Sequence, residues 1–374
     1  MTMRNDDFPV QFDSFPTCGG HRFGVATLNA PGALNALSID MVRLLAPRLQ
    51  AWADDPAIAG VWLHATADKA FCAGADLRRL YPSLQAHRHA ANSDAAAFFS
   101  EEYALDHLIH TYPKPLLVWG HGIVMGGGVG LMVGASHRVV TDTTRLAMPE
   151  IGIGLFPDVG GSWFLRRLPG RTGLFLALTA APLGAADALH AGLADAYVPH
   201  ARKTAVRTAI GKTVWRGEAA DDRAHLTKLL ADHGDTPTRP SLLARHADLL
   251  ETTLAGDDLA AIVDRLVALR THDDPWLQAA AAACAHGSPT SAALTFALWQ
   301  RTRGMGLADV LRLEYQAALG CCAHHDFAEG IRAVLVDKDR QPRWQPATLD
   351  AVTPGFVDDH LRPRGDLPAR LARL

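Results

Sequence analysis

Two carboxylates, Glu150 and Asp158, stand eight positions apart in the segment MPEIGIGLFPDVGG (148–161), with only apolar, Gly and Pro residues between them. A charge placed among Ile151, Ile153, Leu155, Phe156 and Val159 requires a partner or a shifted pKa, and the same condition suits an acid, a base or a nucleophile. The residues alone leave a plainer reading open, in which Asp158 caps a helix beginning at Val159 and Glu150 lies at the surface. A second chemical feature is the glycine run in HGIVMGGGVG (121–130), followed by an apolar stretch with helical character. Glycines at the opening of a helix expose N–H groups that favour developing negative charge, so an oxyanion hole is one use of Gly126, Gly127 and Gly128; close packing between elements is the other. A third is FCAGAD (71–76).

Other chemistries are excluded or unsupported. The glycines match neither GxGxxG with a downstream acid nor GxxxxGK[ST], and no GxSxG marks a serine nucleophile. The 18 histidines are scattered, and the adjacent Cys321 and Cys322 lack a CxxC partner or a clustered His, so they read as buried small residues and no metal is assigned. Five cysteines form no disulfide framework, which makes a reducing cytoplasm the expected setting. With 36 basic against 39 acidic residues the formal charge is −3, and no basic field invites nucleic acid or an anionic membrane. The start, MTMRNDDFPV, does not read as a signal or transit peptide, and the longest apolar run, 122–135, is too short for a bilayer.

The elements that must position these groups follow from periodicity. Arg22–Leu28, Gly60–Ala65 and Pro115–Trp119 are predicted strands, with shorter ones at His137–Thr141 and Arg145–Ala147. A helix capped by Ser38 lies between the first two and must accommodate Pro47; another spans about Ala95–His110, and a third opens in the glycines after Met125. This alternation is that of an α/β domain. After about residue 200 glycines thin out, and helices are predicted at Arg223–Asp232, Ser241–Ala255, Asp258–Arg270, Ser288–Arg303 and Leu307–Ala323. The Pro- and Arg-rich tail beyond Trp344 argues against an ordered helix. The 374 residues thus divide into a core (1–205), a helical region (206–345) and an extension (346–374).

Taken in order, the FCAGAD, KPLLVWGHGIVMGGG and AMPEIGIGLFPDVGG segments resemble the enoyl-CoA hydratase/isomerase (crotonase) superfamily over about residues 20–205. The resemblance implies a ββα-spiral core, usually trimerising, that binds acyl-CoA and needs no separate cofactor; a homo-oligomer is compatible with it. It places the two oxyanion N–H donors at Ala75 and Gly127 and the CoA contacts along Asn35, Ala36, Leu37, Ala73, Asp76 and Leu77. Within the superfamily the chain is most similar to 3-hydroxyisobutyryl-CoA hydrolases, through EEY (101–103), SPTS (288–291) and DFAEGIRAVLVDKDRQPRW (326–344). That likeness implies catalytic Glu150 and Asp158, a substrate-binding Glu102 and thioester hydrolysis. Hydratases carry one catalytic Glu in the helix after the glycines, where this chain has Gly130. A hydratase or isomerase using Glu150 alone, or a non-catalytic acyl-CoA-binding protein, are the competing expectations. Ala75 departs from the Gly these hydrolases often carry, which bears on acyl-group fit rather than on a backbone donor.

Overall fold

In the computed structural model, residues 8–87 and 91–374 are described, so the leader reading of the first seven residues lies outside them. Nine strands form: β1 (Val10–Pro16), β2 (Arg22–Leu28), β3 (Ile58–Ala65), β4 (Ala70–Cys72), β5 (Leu116–Gly120), β6 (Ile123–Met125), β7 (His137–Val140), β8 (Arg145–Ala147) and β9 (Ala196–Tyr197). Six make one sheet in the order β1-β2-β3-β5-β7-β9, and β4-β6-β8 make a second. From β3 onward consecutive strands alternate between the two sheets, which is the spiral expected from the resemblance. Only the β1–β2 hairpin of the large sheet is antiparallel; β2 pairs parallel with β3 in the register Val25↔Trp62, and the parallel pattern continues through β9. Central β3 is buried at seven of its eight positions, the continuous apolar run of a parallel strand covered on both faces.

Contacts divide the chain into two compact units whose sequences interleave. The first comprises Met1–Ala75, Leu105–Leu146 and Leu183–Ser241; the second comprises Asp76–Ala104, Ala147–Pro182 and Leu242–Leu374. The units therefore do not follow consecutive stretches of sequence. In the first, Phe23, Trp62, Leu117, Trp119 and Trp215 build the core between the large sheet and the helices Lys203–Lys212 and Ala219–His233. The Ser38 hydroxyl accepts from Met41 N at 3.2 Å, and the helix Ile39–Asp54 runs through Pro47 without a break.

The second unit is helical, and among the described residues no strand follows β9. Leu307–Ala323 forms as predicted, and Pro289–Arg301 is capped by Ser288. The single helix expected over 241–255 is two, Leu242–Arg245 and Ala247–Thr253. The His246 ring between them reaches Asp274 Oδ2 at 2.8 Å, a tertiary bond that competes with helical continuity. The extension also carries helices, contrary to the expectation from its composition. Pro354–His360 has Thr353 as N-cap and Pro at the first turn, and Ala369–Ala372 is held by Arg312, which donates to Leu371 O and Leu374 O. Pro354 and Pro368 thus start the tail's helices, and Arg312 of the helix Leu307–Ala323 anchors the last of them.

Candidate active site

In the first unit, parallel strands β4 and β6 pair Cys72 with Val124, so the turns that follow them leave from one end of the small sheet. Gly74 has φ +100°, and a Cβ there would lie 3.2 Å from Met125 O and 3.9 Å from Gly126 Cα. A Cβ on Gly128 would lie 2.3 Å from Cys72 O. Close approach is therefore required at both positions, and the two turns run side by side. Gly127 opens the short helix Gly127–Val133, and the backbone bonds of the described residues leave the N–H groups of Ala75 and Gly127 without an acceptor. Two free donors on adjacent turns fit a site that accepts a developing oxyanion.

The turn that the resemblance gives to CoA lies beside them. Leu37 N donates to Gly74 O at 2.7 Å and Ala73 N to Leu34 O at 3.1 Å, joining the 30s and 70s turns. Leu34 and Asn35 both have φ 54°, and the Asn35 side chain holds this turn: Oδ1 accepts from Ala30 N at 2.8 Å and Nδ2 donates to Ala70 O at 2.9 Å. Asn35 is 1% exposed and Leu37 0%, so both contribute through the loop's backbone while Ala36 and Ala73 remain half-buried. A cleft of about 600 Å³ adjoins the loop, with Pro31, Leu34, Ala67 and Lys69 in its wall. In the second unit Asp76 precedes the helix Leu77–Ala86, pairing with Arg79 at 3.2 Å, and Leu77 is buried.

The second unit also holds the carboxylates. Glu150 opens a single tight turn, Glu150–Ile153, and is 3% exposed; Asp158 is 5% exposed. The surface-Glu reading is overturned, and so is the capping one. The helix after Asp158 is Gly161–Phe164, its N-cap is Gly160, and Asp158 contributes only its carbonyl, to Gly161 N. The Asp158 carboxylate instead accepts from Tyr103 Oη at 2.7 Å. Tyr103 belongs to the helix Ser93–His110, and Glu102 beside it is 1% exposed.

Burial drives the electrostatics of this pair. Desolvation pushes Asp158 up to about 6, while the Tyr103 hydrogen bond pulls the other way. Burial and the nearby charge of Asp158 hold Glu150 well above the ordinary carboxylate range. Its Oε2 is buried without a hydrogen-bond partner among the described residues. Both groups therefore keep their protons to higher pH than ordinary carboxylates do.

The backbone beside each carboxylate is held by groups remote in sequence. Ser288 N donates to Ile151 O at 2.9 Å, and Ser288 Oγ donates to Asp326 Oδ2 at 2.6 Å. Gly154, at φ +74°, and Gly330 allow the helix His325–Ile331 to press on the Glu150 turn. A Cβ on Gly154 would lie 2.3 Å from Asp326 C and one on Gly330 2.3 Å from Ile153 C. On the far side of Asp158, Val159 sits at φ 53°, a costly conformation for a β-branched residue. It is maintained by Glu314, which accepts from Gly160 N at 2.7 Å and Ser162 N at 2.8 Å. Glu314 is fully buried; desolvation raises it to about 8, against the pull of the Ser162 and Gly160 N–H bonds.

A family model described as enoyl-CoA hydratase/isomerase matches residues 23–361. The chain belongs to the enoyl-CoA hydratase/isomerase family. The 3-hydroxyisobutyryl-CoA hydrolase, mitochondrial, of Xenopus tropicalis is 37% identical over 352 residues, 93% of this chain and 88% of the relative. That of Danio rerio is 38% identical over 336 residues, 90% and 86% of the two chains, and the human one 34% identical over 343, 91% and 86%. Among solved structures, an enoyl-CoA hydratase from Rhodobacter sphaeroides 2.4.1 superposes with a TM-score of 0.82 at 36% identity, covering 95% of this chain and 98% of that one. A carnitinyl-CoA dehydratase from Mycobacterium thermoresistibile gives 0.81 at 39% identity, with 94% and 96% covered.

In this family member the sequence-derived residues fall into two groups. Ala75 and Gly127 lie on adjacent turns with Asn35, Ala36, Leu37 and Ala73 in the first unit; Asp76, Leu77, Glu102, Glu150 and Asp158 lie in the second. Sequence reasoning missed Tyr103 as the partner of Asp158, Glu314 as the clamp on the following loop, and the Ser288–Asp326 pair under Glu150. One signal was available for Glu314: it is the acid on the apolar face formed by Val310, Leu311 and Ala318, where an unpartnered charge is costly.

Proposed function

We propose that this family member hydrolyses 3-hydroxyisobutyryl-CoA to 3-hydroxyisobutyrate and CoA, a thioester-cleaving step suited to valine breakdown. The observation that carries this reading is the Glu150–Asp158 pair with Tyr103 bonded to one member. Hydratase chemistry by the two-Glu pattern has no second acid in the glycine helix, where Gly130 is buried among apolar residues. The Xenopus tropicalis and Danio rerio relatives, which match over nine-tenths of the chain, carry the hydrolase name, whereas the two solved structures that match as fully are named a hydratase and a dehydratase.

The chemistry follows from these groups. Attack on a thioester carbonyl places negative charge on its oxygen, and the Ala75 and Gly127 N–H groups stabilise that charge, each donor contributing on the order of 3 kcal/mol. Glu150 is the nucleophile: its proton, held there by burial, passes first to Asp158, and its unpartnered Oε2 then forms a bond to the carbonyl carbon as the C–S bond breaks. The departing thiolate takes that proton from Asp158. Water, deprotonated by Asp158, then opens the mixed anhydride and frees the acid. Glu102 hydrogen-bonds the acyl hydroxyl, and the CoA moiety lies along Asn35–Leu37 and Ala73–Leu77, with Lys69 available to its phosphates. No separate cofactor enters, since CoA is part of the substrate. Five free cysteines fit the reducing cytoplasm as the setting, while the relatives are named mitochondrial; fractionation of the native cells decides this.

Thiol release from a panel of acyl-CoAs tests the assignment, with 3-hydroxyisobutyryl-CoA expected to turn over fastest and crotonyl-CoA to show no hydration. Hydration of crotonyl-CoA without free thiol would replace this reading with the hydratase one. Hydroxylamine trapping of an acyl-enzyme tests the anhydride, together with oxygen-18 incorporation into Glu150 on repeated turnover.

A further inference from the structure

We propose that the second unit carries a binding site for a phosphorylated anion, in a cleft of about 540 Å³ walled by Arg166, Arg171 and Arg303, with Trp299 at its side. The arginines come from separate parts of the unit. Arg166 and Arg171 flank the turn before the helix Thr172–Thr179, and Arg303 follows the helix Pro289–Arg301.

Two of the three guanidiniums are fixed in place. Arg166 Nη1 donates to Trp299 O at 2.6 Å, and its guanidinium lies 4.8 Å from the Trp299 ring centroid. Arg171 donates to Leu254 O at 2.9 Å and to Gly256 O. These anchors are carbonyls and a ring face, which orient a cation without neutralising it. Arg303 is exposed and pairs with no carboxylate among the described residues. Two acids bear on the cleft. Asp257 pairs with Arg171 at 3.0 Å and is itself 81% exposed, and Glu251 Oε2 lies 2.8 Å from where a Gly170 Cβ would stand. They leave Arg166 and Arg303 uncompensated, and the positive field of Arg303, Arg171 and Arg167 adds to partial burial in lowering the Arg166 pKa.

Holding like charges around one concavity costs free energy that an anion recovers on binding. Planar, pre-oriented guanidiniums match phosphate oxygens two at a time, so a ligand with two adjacent phosphates engages more of the wall than one with a single phosphate. The shared chemistry is therefore a diphosphate, borne either by a free metabolite or by the CoA moiety of the substrate, whose phosphates these arginines would then meet in place of Lys69.

The test uses the full chain and inorganic pyrophosphate, read by calorimetry at low salt, so it stands apart from thioester turnover. Wild type should bind pyrophosphate saturably and more tightly than phosphate. Arg303→Gln should weaken binding at least about tenfold, Arg303→Glu should abolish it, and both variants should keep the wild-type melting temperature because the side chain is exposed. Competition by free CoA, with a raised KM for acyl-CoA in Arg303→Gln, assigns the diphosphate to the substrate. Binding undisturbed by CoA, with KM unchanged, assigns it to a separate metabolite. No saturable binding to wild type, or equal binding by Arg303→Gln, overturns the proposal.

Discussion

At the scale of single residues, the consequence of burying Glu150 and Asp158 together is that neither titrates as an ordinary carboxylate. Removing either one takes away a member of the pair that moves the proton. Glu150→Gln and Asp158→Asn should each lower kcat by roughly 100- to 10,000-fold, with acyl-CoA binding nearly kept. The double variant should be scarcely worse than either, and fully additive losses measured by thiol release would show that the two act independently. Tyr103 offers a finer test. Its hydrogen bond lowers Asp158 from where desolvation alone would place it, about 6 being the balance. Tyr103→Phe removes that bond and should move the acid limb of kcat/KM to higher pH. A limb that stays in place would mean that another group sets it.

At the scale of elements, the site depends on close approaches and clamps more than on the elements that carry the acids. Glu314 binds its proton more tightly folded than unfolded, with a folded pKa of about 8 against an ordinary 4.5. Between those values the folded state holds more protons, so stability is highest on the acid side and falls as pH rises through this window. In Glu314→Gln that fall should flatten, while the loss of one acceptor for Gly160 N and Ser162 N costs about 1–3 kcal/mol. Urea unfolding from pH 5 to 8 measures both, and an unchanged pH slope would remove Glu314 from the titration. These relations mark where sequence legibility ends. Periodicity located β2, β8 and the helix Leu307–Ala323, and Ser38 announced its own helix, because burial pattern and capping are local properties. The Glu150–Asp158 segment stood out because charges in an apolar run are costly wherever the chain goes. What meets them is not local: Glu314 is 154 residues from Gly160, and Asp326 is 38 from Ser288. Likewise His246 broke an otherwise periodic helix through a bond to Asp274 that no window of sequence contains.

At the scale of the whole molecule, the division at residue 205 and the division by contacts make different demands on the chain. A core of 1–205 contains Glu150, Asp158, Ala75 and Gly127, so the resemblance to single-domain members of the family suggests that it suffices. Yet the carboxylate unit is completed by Leu242–Leu374. Without that segment Ile151 O loses Ser288 N, Gly160 N and Ser162 N lose Glu314, and the Glu150 turn loses the helix His325–Ile331 packed against it through Gly154 and Gly330. The strained Val159 then has nothing to over-determine it, and two buried acids face water. Residues 1–205 expressed alone should therefore show no cooperative thermal transition from this unit and no thiol release, whereas the full chain shows both. Cooperative unfolding with near full-length turnover from 1–205 alone would show that the helical region is an appendage and that the clamps are dispensable.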